Sequence, residues 1–201
     1  MINDVAKDII EAFNSEIFIE TGFFRASTAV IIRSWFPKLP IFEVEINPEF
    51  YRYGVNLFEN DENITIVNSE SKEFLKNNIN MFKEYSNPVF YLDAHWDPNN
   101  WPLRGEVEYI STLPSPIILI DDFKTPGPDG MPSPNHGYDS YNGHDCGKEY
   151  IEDLIKPVTD CIYYARKPNI DGQGSGIIFV NREYEEIKNI ISDLDLIVEK
   201  L

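Results

Sequence analysis

The chain has 201 residues, 42% of them hydrophobic and 13% aromatic, enough for one domain with its own core and too much for a low-complexity, disordered polymer. Against 17 Lys and Arg stand 34 Asp and Glu, a net charge of −17. Such a surface repels phosphate backbones and anionic lipid heads, and no Lys/Arg cluster builds a local basic groove, so neither nucleic acid nor a membrane is an expected partner.

The opening MINDVAKDIIEAFN lacks the basic start and continuous apolar stretch of a signal peptide. No segment approaches the roughly 18–20 apolar residues of a membrane span. Cys146 and Cys161 show no metal or redox spacing, which fits a reducing cytoplasm.

Ile2, Val5, Ile9, Ile10 and Phe13 recur at helical spacing and predict an N-terminal helix over 2–14. IFIE (17–20) reads as a strand, and Ser27 to Trp35 as a helix that stops before Pro37. IFEVEI (41–46) is a strand, and Pro48 opens a helix over 48–57. ITIV (64–67) is a strand and Glu70 to Phe82 a helix. PVFYLDAH (88–95) and PIILIDDF (116–123) are strands with almost no polar alternation, so both faces are covered, and a helix near Leu103–Thr112 separates them. Residues 148–156 read as a helix, CIYYAR (161–166) and GIIFVN (176–181) as strands, and 183–192 as a last helix.

Strands and helices alternate over the first 123 residues, which predicts an α/β, Rossmann-like, doubly wound and mostly parallel sheet with helices on both faces. The direct link between 161–166 and 176–181 predicts an antiparallel C-terminal strand pair at the end of that sheet. Phe123 to Gly147 carries four prolines and five glycines without periodicity and reads as a lid-like loop. No repeat or boundary divides the chain, so 1–201 is expected to be a single domain.

In open α/β sheets ligands bind beyond the carboxyl ends of the strands. Every early strand delivers polar residues to that rim: Glu20-Thr21-Gly22, Glu45, Asn68-Ser69, Asp93 with His95 following, and Asp121-Asp122. Ser27 and Ser69 also suit helix N-caps. Gly22 permits a tight turn and a close ligand, and the helix from Ser27 and Thr28 aims N–H groups at the same place. An acid about 20 residues on, Glu45, can accept both hydroxyls of a ribose. Together these point to a nucleoside-type cofactor. A Walker-type lysine motif is absent, and the glycine set is thinner than a nicotinamide enzyme usually shows.

FIETGFFRAST (18–28) resembles the first motif of the class I S-adenosylmethionine-dependent methyltransferases, and FEVEINPEF (42–50) the second. NSESKEFL sits where the adenine-contacting segment falls and FYLDAHW where the fourth motif falls. Within that superfamily, LDAHW followed by IDDF is similar to the macrocin-type, metal-assisted sugar O-methyltransferases. The resemblance implies S-adenosylmethionine, with Gly22 and Glu45 matching the cofactor glycine and the ribose acid; Glu20, Thr21, Ser27, Thr28, Asn68, Ser69 and Asp93, from the same rim, are expected to hold it with them. It also implies a divalent ion such as Mg²⁺ on Asp93, Asp121 and Asp122, with His95 as base beside Asp93. Two departures stand out: Ala26 replaces a frequent glycine, and the acid and base are spaced Asp-Ala-His.

A histidine with a resting pKa near ~6.5 suits proton removal from a hydroxyl at neutral pH. Three acids at two strand ends could hold a hard cation or serve as loop caps and substrate contacts. Tyr138, Asp139, Tyr141 and His136 suit a sugar-like acceptor or a packed flap, and Trp96 and Trp101 an acceptor wall or a cover for the sheet edge. The expected activity is methylation of a small polar acceptor, at the oxygen of a sugar-like hydroxyl. A non-catalytic nucleoside-binding protein and a metal-dependent hydrolase are the alternatives, and self-association is left open.

Overall fold

The computed structural model describes residues 4–94, 101–127 and 131–201. Its strands are Phe18–Thr21 (β1), Ile41–Glu45 (β2), Ile64–Asn68 (β3), Val89–Leu92 (β4) and Ile117–Ile120 (β5), then a hairpin of Ser140–Tyr141 (β6) and His144–Asp145 (β7), then Cys161–Ala165 (β8), Gly176–Phe179 (β9) and Leu196–Lys200 (β10). All but the hairpin join one eight-stranded sheet in the order β10-β8-β9-β5-β4-β1-β2-β3. β1 pairs in parallel with both β2 and β4, so the chain winds outward from β1 to β3 and then returns to build the other half through β4 and β5. That reversal opens a crevice at the carboxyl ends of β1 and β4.

The helices are Asp4–Ala12 (α1), Ser27–Trp35 (α2), Pro48–Leu57 (α3), Ser71–Asn78 (α4), Leu103–Ile110 (α5), Lys148–Ile155 (α6) and Tyr184–Ile187 (α7). Ile9, Ile10 and Phe13 from the α1 region, Ile32 of α2 and Ile187 of α7 bury against Phe18, Ile41, Val89 and Ile117 on one face of the sheet. Phe74 and Leu75 of α4, Leu103 and Val107 of α5, and Ile151 of α6 bury against Ile19, Val44, Phe90 and Ile118 on the other. Strand residues two apart share a face, so the two clusters read off the alternation directly. β4 and β5 are buried along their whole length, as their unbroken apolar sequence requires. The sheet is therefore doubly wound and mostly parallel, with helices on both faces. Among the described residues no helix is long and apolar enough to cross a membrane.

Several boundaries differ from the sequence reading. The helix expected over Glu70–Phe82 is α4 followed by a 3-10 segment, Ile79–Glu84. At the junction the Asn78 side chain donates to the Phe74 carbonyl at 2.8 Å, a local competitor of the helical ladder. The helix expected over 183–192 shrinks to the single turn α7, held by a Glu183/Glu186 capping box. Further on, Leu196–Lys200 form β10, a strand the sequence reading did not contain. β8 and β9 are antiparallel as expected, but they do not end the sheet: β9 lies between β5 and β8, and β10 pairs antiparallel with β8 at the edge.

Candidate functional site

A cavity of about 570 Å³ opens in the crevice, lined by Gly22, Glu45, Ser69 and Asp93 among the expected residues and by Phe24, Val44, Ile46, Asn47, Phe50, Glu70 and Pro102 beside them. Its first wall is the turn after β1. Gly22 has φ +89°, and its amide donates to the Val44 carbonyl at 2.9 Å. A Cβ at Gly22 would lie 2.4 Å from the Asp93 carbonyl oxygen, so glycine is needed both for the backbone angle and for the approach of β4. Phe24 and Ala26 also have positive φ, 46° and 67°, in a turn where the sequence has no further glycine.

Glu45 stands beside that turn, on the adjoining wall. Its carboxylate is 5% exposed and accepts from the Phe24 amide at 2.7 Å and the Asn47 amide at 2.6 Å. One side chain thus ties the β1 turn to the β2 turn. Each oxygen has a second lone-pair direction, which leaves acceptor capacity toward the cavity. Asn68 supports the same corner by donating to the Glu45 and Ile46 carbonyls at 2.7 and 3.1 Å.

The expected helix caps shift by one residue. The residue before α2 is Ala26, with no capping side chain, and Ser27 is already helical and exposed. The cap of α4 is Glu70, which accepts from Lys72 and Glu73, while Ser69 donates its hydroxyl to the Glu70 carbonyl. A carboxylate accepts two amides at once where a serine oxygen usually serves one.

The remaining expected residues divide between supports and interior. Thr21 is fully buried, and its carbonyl accepts the Asp93 amide at 3.0 Å. Glu20 and Thr28 lie inside the protein at 2% and 4% exposure and do not line the cavity. Burial and the neighbouring Glu43 hold the Glu20 carboxyl well above the usual range, and burial raises Glu43 as well.

On the other half of the rim, Asp121 is 1% exposed and accepts from the Asn169 amide at 2.9 Å. Asp122 has φ 51°, and its carbonyl receives the Asp139 amide at 3.0 Å. Among the described residues no three His, Cys, Asp or Glu side chains are grouped to hold a metal ion. His95 and Trp96 lie outside the described residues.

The loop over 123–147 is fastened at several points. Lys124 donates to the Cys146 carbonyl, Cys146 to the Asp139 carbonyl, and the Tyr141 hydroxyl to Asp139 at 2.7 Å. Burial, then Asp139, holds the Tyr141 hydroxyl protonated well beyond neutral pH. Trp101 stacks on Tyr150 with ring centres 4.2 Å apart and meets Tyr141 edge-on at 5.3 Å. His136 takes a hydrogen bond with Ser133 at 2.7 Å.

Phe24, Phe50 and Glu43 escaped the sequence reading. Phe24 and Phe50 meet edge-on at 4.6 Å by the cavity, each inside a segment already singled out for its polar residues. Glu43 carried a signal: it is an acid two residues before Glu45, on a strand otherwise covered on both faces.

No family model matches the chain, and no curated protein matches it. Solved structures do. The O-methyltransferase from Bacillus cereus, in complex with SAH, superposes with a TM-score of 0.61 at 14% identity, covering 90% of this chain and 82% of that one. The O-methyltransferase TomG from Streptomyces achromogenes, involved in tomaymycin synthesis and in complex with SAM, superposes at 0.60 with 11% identity, covering 89% and 79%. The chain shares the α/β fold of these O-methyltransferases.

Proposed function

We propose that the protein is an S-adenosylmethionine-dependent O-methyltransferase acting on a small polar acceptor with a sugar-like hydroxyl. The observation that carries this reading is Glu45. A nearly buried glutamate at the end of β2 lines a cavity at the switch point of the sheet, bonded to the turn that Gly22 opens. The fit is chemical as well as spatial: the carboxylate can accept ribose hydroxyls, and Val44, Ile46 and Phe50 give the cavity apolar surface for a purine. Two structures of this fold hold SAM or SAH.

S-adenosylmethionine supplies a methyl group already activated on a sulfonium, so the protein's contribution is largely placement. Gly22 and Glu45 fix the nucleoside end. Asp93 lines the same cavity, immediately after β4, the strand paired with β1. His95, two residues on, is the base this reading assigns to the acceptor hydroxyl. The trio Asp93, Asp121 and Asp122 carries no step, because among the described residues no three such side chains are grouped to hold a metal ion.

Calorimetry with S-adenosylhomocysteine tests the reading. Binding is expected, and Glu45→Ala should weaken it by ~1–3 kcal/mol through lost charge-assisted hydrogen bonds. Unchanged affinity in the variant would remove Glu45 from the site, and no binding at all would end the cofactor assignment. Cofactor binding without methyl transfer to any hydroxyl acceptor would leave a nucleoside-binding protein.

A further inference from the structure

Beneath the cavity wall lies a pair of acids that the proposed reaction does not use. Glu20 of β1 and Glu43 of β2 are register partners on neighbouring parallel strands, at 2% and 0% exposure. Each lies two residues beyond a core residue, Phe18 or Ile41, that packs under α1 and α2, so both acids enter that same face. Among the described residues neither oxygen of Glu43, nor Oε2 of Glu20, meets a donor, yet the two carboxyls interact with each other. Two carboxylates are both acceptors, and they bond only when one carries a proton. Two unpaired charges at register spacing without solvent are the costly alternative.

Thr28, buried in the first turn of α2, is the neighbouring hydroxyl that opposes the upward shift of Glu20. That helix start has no side-chain cap, and the turn leading into it carries positive φ at Gly22, Phe24 and Ala26. A strained, uncapped turn needs an anchor, and Glu20 supplies one from the strand behind it.

We propose that Glu20 and Glu43 share a proton at neutral pH and, through Thr28, act as positioning residues for the Gly22–Ala26 turn that walls the cofactor cavity. This rests on the cofactor reading of that cavity. The surroundings favour a shared proton. On β4, Tyr91 is buried near Glu20, Asp93 and Asp121 and keeps its own proton, since burial and those acids raise its pKa. On α2, Arg33 is committed to Asp61 at 2.7 Å and to the Phe36 and Leu39 carbonyls, and before it Arg25 lies over the Phe24 ring. On α1, Asp4, Asp8 and Glu11 are exposed and Lys7 pairs with Glu11. Burial is the largest cause of the upward shift in both acids; for Glu20, Thr28 opposes it.

The linkage sign follows from a folded-state pKa above the unfolded one. Stability from the pair is complete below the ordinary glutamate range. It falls as pH rises through that range toward the raised titration of the folded pair, and is lost above it.

Glutamate-selective carboxyl NMR and S-adenosylhomocysteine calorimetry, run on the full chain across about pH 5 to 9.5, test the proposal. The wild type should show one carboxyl midpoint above about pH 7, with cofactor affinity falling at least about fivefold through it. In Glu43→Gln, whose amide donates without titrating, that midpoint should drop and the fall in affinity flatten. A wild type whose carboxyls all titrate below about pH 6 would overturn the shared proton. Identical affinity profiles in wild type and Glu43→Gln would overturn the positioning role. Glu20→Gln serves if Glu43→Gln does not fold, and failure of both to fold would make the pair a core element instead. Absence of cofactor binding at every pH would overturn the cofactor reading and the positioning role with it, while the NMR midpoint reports the proton without any ligand.

Discussion

The rim of the sheet has two halves that look alike in sequence and differ in structure. At the end of β2, Glu45 accepts two backbone amides and still borders a cavity. At the end of β5, Asp121 is just as buried, but one of its oxygens accepts from the Asn169 side chain of the β8–β9 connection, buried Tyr91 lies near it, and it borders no part of that cavity. A carboxylate at a strand end is therefore not a ligand site by position alone. What decides is whether another part of the chain has already come to meet it. Backbone donors beside Glu45 hold the acid in place and leave it acceptor capacity, whereas the Asn169 contact folds a connecting loop over Asp121.

The largest effect should come from breaking the open half. Gly22→Ala adds a Cβ 2.4 Å from the Asp93 carbonyl in a backbone with φ +89°. Strain and displacement together should cost about 2–4 kcal/mol of stability and abolish S-adenosylhomocysteine binding. Denaturant unfolding and calorimetry on the same sample measure both. A variant with wild-type stability would show that the turn and β4 do not meet as described.

The closed half should respond differently. Asn169→Ala removes a donor from buried Asp121 and should cost ~1–3 kcal/mol of stability with little change in cofactor affinity. A matching loss of affinity would break the contrast, because Asp121 would then belong to the cofactor site.

How far the sequence carries depends on the range of the interaction. The alternating strands and helices, a polar rim at the carboxyl ends of the strands, and the placing of Gly22 and Glu45 together on it follow from local apolar runs and the α/β winding rule, and the structure has all three. β10 did not follow. The sequence reading assigned its residues no element, because a strand of half-buried alternation is recognisable only once β8 is there to pair with it. The fate of Asp121 was hidden for a related reason: Asn169 is 48 residues away, in a glycine-rich link with no pattern to announce it. Glu20 was read as a cofactor ligand from its place before Gly22, but its surroundings depend on which β2 residue lies beside it, and register is a long-range property.

The smallest effect concerns the residue where a glycine is frequent. Ala26 has φ 67°, a left-handed angle that costs an L-residue ~1–2 kcal/mol. Ala26→Gly should recover that strain. It also adds disorder to the unfolded chain, ~0.4–1 kcal/mol, and removes a methyl group that is fully buried beside Phe23 and Ala29, about 0.8 kcal/mol. These terms nearly cancel, so stability should stay within about 0.5 kcal/mol of wild type. The turn itself becomes looser, and ordering it around the cofactor should weaken S-adenosylhomocysteine two- to threefold, about 0.5 kcal/mol. Tighter binding in the glycine variant would mean that alanine distorts the wall of the cavity instead of stiffening it, and the open half of the rim would then owe its shape to Glu45 alone.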